Sequence, residues 1–390
     1  MRGARRRGLG LLACCAAALA IGAASAGAKA SPPNPAPGLQ RALYKLVADP
    51  AGPPGISVLI DRGRRTEFLS AGFSDVAAGR TPDRDEHLRI ASVSKGFNAL
   101  VAVGGVNGSR PGTSSAHRRL EVMLGQRVPG LLPAAEAVTL RQLLQHTSGL
   151  PDYIRDKAFI DRFSADLTGY FAPAELTGFV KDDPLEFAPG SRYHYSDTDN
   201  IAAALIEEAA TGRSHEELLA SRVFDPLGMR KTSLPSAPRM PRPFMHGYDL
   251  APGELPEDVS EALSPSGAWA SGGIVSTPRD LGRFAAAYVP AILRVSKRLP
   301  GAFRPGSSSP PGPGKNAAGL GIFRYELGCG TVYGHTGSFP GYRLLVAASA
   351  NGRRSVVFAA NAQIVPGQGS AKIAEAITRA QARAICFALS

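Results

Sequence analysis

The sequence predicts an α/β fold: an antiparallel sheet flanked by helices, plus an inserted, mostly helical lobe. Three observations predict it. β-Branched runs that read as hairpins stand near both ends of the chain. A helical period lies outside each of them, and the stretch between is dominated by helical patterns. The 390 residues, 44% hydrophobic and 19% charged, suffice for one large domain or two lobes.

Residues 1–30 read as a secretory signal peptide. Arg2, Arg5, Arg6 and Arg7 form a basic head, and an Ala-rich apolar run from Leu9 to Ala24 follows. Ala24-Ser25-Ala26 and Ala28-Lys29-Ala30 offer small-residue cleavage sites. The run Arg5-Arg6-Arg7 fits a twin-arginine route as well as the general one. Leu11-Leu12-Ala13-Cys14 has the form of a lipoprotein box, but the apolar run before Cys14 is too short and continues past it. A secreted, extracytoplasmic protein is expected, since no later run is apolar and long enough to span a bilayer. Pro-rich residues 31–37 read as a linker, and 38–390 as a single domain. Its α/β lobe is expected from 38–91 and 266–390, and its helical lobe from 92–265.

Leu39, Leu43, Leu46 and Val47 repeat with helical spacing, so a helix is expected there. Ile56–Ile60, a basic turn at Asp61–Arg65 and a second run near Phe68 read as a hairpin. Helices are expected at Thr139–Gln145, Asp197–Thr211 and Glu216–Phe224. Tyr342–Ala348 and Ser355–Ala360 flank Asn351-Gly352, a strong hairpin signal. Ala371–Leu389 reads as the last helix, with Ile373, Ile377, Ala380, Ala384 and Phe387 on one face. Residues 305–315 read as a surface loop. Gly104–Arg127 does not fit this scheme. It is dense in Gly, Ser, Arg and His and poor in apolar residues, and Gly104-Gly105 and Arg110-Pro111-Gly112 break the helix expected after Val103. It reads either as a flexible insertion or as an altered reading of a high-GC gene.

The net charge is +12, and loss of the five basic residues in 1–30 leaves about +7. These charges are scattered and carry no aromatic-interleaved stripe, which argues against a nucleic-acid partner. Seven histidines without metal-ligand spacing, and no Cys-x-x-Cys, argue against zinc. No glycine-rich phosphate loop is present, so no cofactor is implied. Cys329 and Cys386 remain once Cys14 and Cys15 leave with the signal. In an exported protein that pair suggests a disulfide closing a loop of about 57 residues, worth roughly 4 kcal/mol in the chain-entropy account.

Three segments carry chemistry. Ser92-Val93-Ser94-Lys95 puts a hydroxyl and an amine at i and i+3, on one face of a helix. A buried lysine helps remove the serine proton, and a helix N-terminus favours the negative charge that results. Tyr195-Ser196-Asp197 follows the turn at Pro189-Gly190, with Asp197 as the expected cap of the next helix. A phenol near two cations ionises below its usual range and serves as a general base. His335-Thr336-Gly337 follows the short strand Thr331–Tyr333. Thr336 offers a hydroxyl to a substrate carboxylate, His335 a donor or positive charge, and Gly337 room for a substrate backbone. Each segment alone is an ordinary feature.

Taken in order, these residues resemble the class C β-lactamase and D-alanyl-D-alanine carboxypeptidase family of penicillin-recognising serine hydrolases. Leu143-Leu144-Gln145-His146-Thr147-Ser148-Gly149, Phe187-Ala188-Pro189-Gly190, Asp225-Pro226-Leu227-Gly228-Met229 and Ala270-Ser271-Gly272-Gly273 extend the resemblance. It covers roughly residues 40–388 apart from 104–127. It implies a β-lactamase/DD-peptidase-like fold in which Ser92 is acylated and Lys95 and Tyr195 move its proton. The backbone N–H groups of Ser92 and Ser338 would form the oxyanion hole. Asp197, His335, Thr336, Gly337 and Ser338 would bind substrate: a D-Ala-D-Ala peptide, a β-lactam, or a small ester or amide.

Two departures bear on the substrate. Histidine at 335, where class C β-lactamases usually carry lysine, is similar to the family's carboxypeptidases and some esterase-like members. Aspartate at 197, where asparagine is commoner, cannot donate an amide N–H to a substrate carbonyl. The expected activity is a D-Ala-D-Ala carboxypeptidase-type hydrolase. The alternatives are a class C-like β-lactamase, a small-ester hydrolase, or an inactive penicillin- or peptidoglycan-binding protein. His146, Ser148 and Asp152 also invite a catalytic triad, but in the resembling family that segment is structural.

Overall fold

The computed structural model describes residues 37–108, 115–251, 253–305, 307, 310–364 and 371–390. The signal-peptide reading lies outside these residues, as does the linker apart from Pro37. Pro37 opens helix α1 (Pro37–Val47) instead, at a position whose N–H has no intrahelical partner to lose.

Chain ends build the sheet together. Strands β1 (Gly55–Asp61) and β2 (Thr66–Gly72) come from the N-terminal side. Strands β3 (Arg304–Pro305), β4 (Lys315–Ala318), β5 (Phe323–Leu327), β6 (Gly330–Phe339), β7 (Tyr342–Ala348) and β8 (Ser355–Ala360) come from the C-terminal side. The order across the eight-stranded sheet is β2-β1-β8-β7-β6-β5-β4-β3, with antiparallel neighbours. Ile56 opposite Ala360 fixes the join between the two halves.

Alternate residues of the central strands point to opposite faces, so the sheet has two apolar sides. Ile56, Val58, Ile60, Leu345 and Ala347 pack with Leu39 and Leu43 of α1 and with Ile373 and Ile377. The last two belong to the C-terminal helix Ala371–Leu389. Leu59, Leu344 and Val346 face the other way, onto Phe284 and the helical residues. Those residues include helix α2 (Ser94–Ala102), helix α3 (Leu140–Leu144) and helix α4 (Asp197–Thr211). α2 packs among other helices and is buried along its whole length, which holds its first turn rigidly.

The segment Gly104–Arg127 departs from the expected insertion where it is described. Short helices cover Ser115–Leu120 and Leu124–Arg127 and bury Ala116, Leu120 and Leu124 in the main core. α2 does stop early, at Ala102. Gly105 adopts φ 76°, and a Cβ there would lie 2.6 Å from the Arg222 carbonyl oxygen. The break in the helix is therefore a packed turn that only glycine fits. Its few apolar residues sit where they can be buried, which composition alone does not reveal.

Cys329, in the turn between β5 and β6, is bonded to Cys386 of the C-terminal helix, with Cα atoms 5.5 Å apart.

Candidate active site

Ser92 sits in a single 3-10 turn, Ala91–Val93, that runs straight into α2. Ala91 is held at φ 50°, a left-handed conformation costly to a residue with a side chain. The other non-glycine residues in that region among those described are His146 and Trp269. Each lies on a segment packed around Ser92, so backbone strain collects at one place. β6 presses against the same turn. A Cβ on Gly337 would stand 2.4 Å from the Ile90 carbonyl oxygen. Gly337 thus lies within a continuous strand rather than at its end, and the space that its missing side chain leaves is taken by the Ser92 turn.

Lys95 is wholly buried one turn after Ser92. Its three amine hydrogens have three acceptors: Ser92 Oγ at 3.3 Å, the Ser271 carbonyl at 2.8 Å and Asp197 Oδ1, in a short ion pair. Asp197 is the first residue of α4, not its cap. Ser196 holds the cap position, and the free N–H of Asp197 is taken by Asp152 Oδ1 at 2.9 Å.

Asp152 therefore lies against a second carboxylate in a dry setting. Burial first, and the charge of Asp197 second, push its pKa up to about 7. Burial likewise lifts Asp199, in the same first turn of α4, well above the carboxylate range.

Tyr195 is carried to Ser92 by main-chain pairing between two loops. Glu186 N–H, Gly190 N–H and His194 N–H donate to the carbonyls of Gly149, Thr147 and His146. The phenol ring lies tilted against His146 with ring centroids 4.4 Å apart, and Lys95 Nζ lies 4.9 Å from the ring centre. Its hydroxyl is beside Ser92 but lacks a partner in hydrogen-bond geometry. Burial, then the negative charge of Asp197, push the phenol well above its ordinary pKa. The expected readily ionised phenolate is corrected accordingly: burial, reinforced by the charge of Asp197, keeps the proton on the phenol.

His335 corrects a second expectation. It is 1% exposed, its Nδ1 lies 2.5 Å from the Thr336 carbonyl, and its Nε2 is buried without a partner. Burial first, and Lys95 second, push it down to about 3, so it is neutral and offers no positive charge. Thr336 is also buried, and neither residue lines the cavity beside Ser92.

That cavity, of about 270 Å³, is lined by the polar residues Ser92, Asp197, Ser271 and Ser338. Tyr153, Ile154, Phe159, Phe163 and Phe339 supply an apolar, largely aromatic part of its wall. This wall was not read from the sequence. Its residues are scattered through three segments and match ordinary core residues.

His146, Ser148 and Asp152 do not form a triad. Ser148 Oγ donates to Asp199 and accepts from Leu150 N–H, while His146 Nδ1 meets Asp199 Oδ2 at 3.0 Å. All three are buried and brace the Tyr195 loop.

A family model described as Beta-lactamase matches residues 44–379. The chain belongs to the beta-lactamase family. A D-aminopeptidase of Cereibacter sphaeroides is 30% identical over 212 residues, 54% of this beta-lactamase-family chain and 39% of the relative. The chain therefore spans about two-fifths of the length of that relative. Penicillin-binding protein 4* of Bacillus subtilis is 24% identical over 320 residues, 75% of this chain and 64% of that one. Among solved structures, a D-stereospecific amidohydrolase from Streptomyces sp. superposes with TM-score 0.68 at 28% identity, covering 87% of this chain and 97% of its own. The D-amino acid amidase from Ochrobactrum anthropi SV3, complexed with L-phenylalanine amide, gives 0.71 at 25%, covering 88% and 97%. The fold of this family member is that of the β-lactamase and penicillin-binding proteins, an antiparallel sheet flanked by helices.

Proposed function

We propose that the protein is an exported serine hydrolase that forms an acyl-enzyme on Ser92 and releases D-amino acids with apolar side chains from their amides or peptides. The observation that carries this reading is a partly exposed serine hydroxyl in a strained turn, hydrogen-bonded by a buried lysine, at the wall of an aromatic cavity. The names of the relatives, D-aminopeptidase and D-amino acid amidase, support the substrate class. Export rests on residues 1–30 alone, and N-terminal sequencing of protein recovered outside the cytoplasm tests it.

Ser92 Oγ attacks the carbonyl carbon. Its proton passes to the Tyr195 oxygen as the phenolic proton moves to the leaving nitrogen, which departs with the electrons of the broken C–N bond. A phenol that holds its proton suits this concerted relay better than a free phenolate does. The Lys95 amine steadies the charge on Oγ. The N–H groups of Ser92 and Ser338, two residues that line the same cavity, receive the carbonyl oxygen. Water reverses the sequence and frees the acid.

D-Ala-D-Ala carboxypeptidase activity has the support of the penicillin-binding relative. It ranks second because a peptide carboxylate needs a cation, and neutral His335 supplies none. The test is release of D-phenylalanine from D-phenylalanine amide and of D-alanine from a D-Ala-D-Ala peptide, with intact mass followed in fluorescent penicillin. Ser92→Ala should abolish turnover and adduct, a loss of at least 10⁴-fold. Faster release of D-alanine than of D-phenylalanine would restore the carboxypeptidase reading, and an adduct with no turnover of any substrate would leave a binding protein.

A further inference from the structure

The charges around Ser92 are arranged against an anionic substrate. Lys95, the buried cation beside the hydroxyl, has all three of its hydrogens engaged. Buried Arg89 is tied to the carbonyls of Pro238, Ser260 and Leu263 and lies over the Phe339 ring. Arg155, near Asp152, is mostly in solvent. His335 is buried and does not line the cavity. No cation among the described residues lines the cavity.

One carboxylate among the described residues does line it: Asp197. Oδ1 is held by Lys95, whereas Oδ2 has no hydrogen-bond partner among the described residues. The side chain keeps 13% of its surface open. Lys95 Nζ touches both Ser92 Oγ and this carboxylate, so the two stand one amine apart. An α-amino nitrogen is only two bonds from the carbonyl carbon that Ser92 would attack. A substrate placed for attack, with its side chain on the aromatic wall, can turn its α-nitrogen to Asp197. An aspartate there repels a carbonyl oxygen and attracts an ammonium.

We propose that Asp197 selects substrates bearing a free α-ammonium group beside the scissile carbonyl, accepting a charge-assisted hydrogen bond from it. The inference rests on acylation at Ser92. It assigns Asp197 a specificity role in addition to pairing with Lys95.

The test compares D-phenylalanine p-nitroanilide with its N-acetyl derivative, on the purified full chain. The wild type should prefer the free amine by roughly tenfold or more in kcat/KM, the scale of one charge-assisted hydrogen bond. In Asp197→Asn that ratio should fall to about one or invert, mainly through KM for the amine, whatever happens to the absolute rate. The ratio cancels damage to Lys95, which a purely structural Asp197 would leave unchanged. D-Phenylalaninol should inhibit the wild type competitively, and N-acetyl-D-phenylalaninol much less. Equal or faster turnover of the N-acetyl substrate by the wild type overturns the role of Asp197 while leaving the serine mechanism standing. Failure of a fluorophosphonate probe to label Ser92, with no turnover of either anilide, removes the serine mechanism and this inference with it.

Discussion

At the residue scale, the site is governed by buried carboxylates. Asp152 holds its proton up to about pH 7, against 3.8 for an ordinary aspartate. The folded protein thus binds a proton that the unfolded chain has lost over that interval. Its contribution to stability is complete below about pH 4 and disappears as the pH rises through 7. Buried His146, His215 and His335 have lowered pKa values and slope the other way, since their unfolded forms take up protons below 6.5. The readout is therefore the difference between wild type and Asp152→Asn in urea unfolding at pH 4, 5.5, 7 and 8. The variant should gain on the wild type as the pH rises, and a constant difference would refute the assignment. Ser92 and Lys95 were legible from their spacing, because one helical turn brings i and i+3 together. The protonation states of Tyr195 and His335 were not, because they depend first on the depth of burial, and then on Asp197 for the phenol and Lys95 for the imidazole.

At the element scale, the site depends on how closely β6 approaches the turn that precedes α2. Gly337→Ala would drive a methyl group into the Ile90 carbonyl at 2.4 Å. Backbone cannot swing aside as a side chain does, so strand and turn must part. A cost of about 2 kcal/mol is expected, within the range for overpacking. Acylation should slow further than stability falls, because Ser92 and Ser338 would move apart. Thermal unfolding and burst-phase acylation by a chromogenic ester measure the two effects, and an unaltered burst would refute this role. The helices and hairpins around the site follow from apolar period and turn residues, as in Tyr342–Ala348 and Ser355–Ala360. The reason for Gly337 lay in contact with a segment some 250 positions away, where local pattern carries no information.

At the scale of the whole molecule, one sheet is assembled from both ends of the chain. β1 pairs with β8, and Cys329–Cys386 ties the β5–β6 turn to the C-terminal helix across 57 positions. Cys329→Ser with Cys386→Ser should lower stability by about 4 kcal/mol if the effect is loss of loop closure. Denaturant unfolding with and without reductant measures it, and identical midpoints would show that the loop is held by packing alone. The bridge lies on β6's own turn, so its loss should also loosen the strand that carries Ser338.

The sequence by itself determined the fold class, the family resemblance and the serine–lysine pair, because periodicity, turn chemistry and i,i+3 spacing are local properties of a chain. Tertiary structure alone decided what those groups face. Asp197 and Ser271 come from separate segments and meet at one lysine, and Asp152, from a third, takes the Asp197 N–H. His335 loses its charge by being buried, and an aromatic wall forms from residues that read as ordinary core. The physical reason is that charge state and cavity shape depend on distance and desolvation, which are fixed only when remote segments pack.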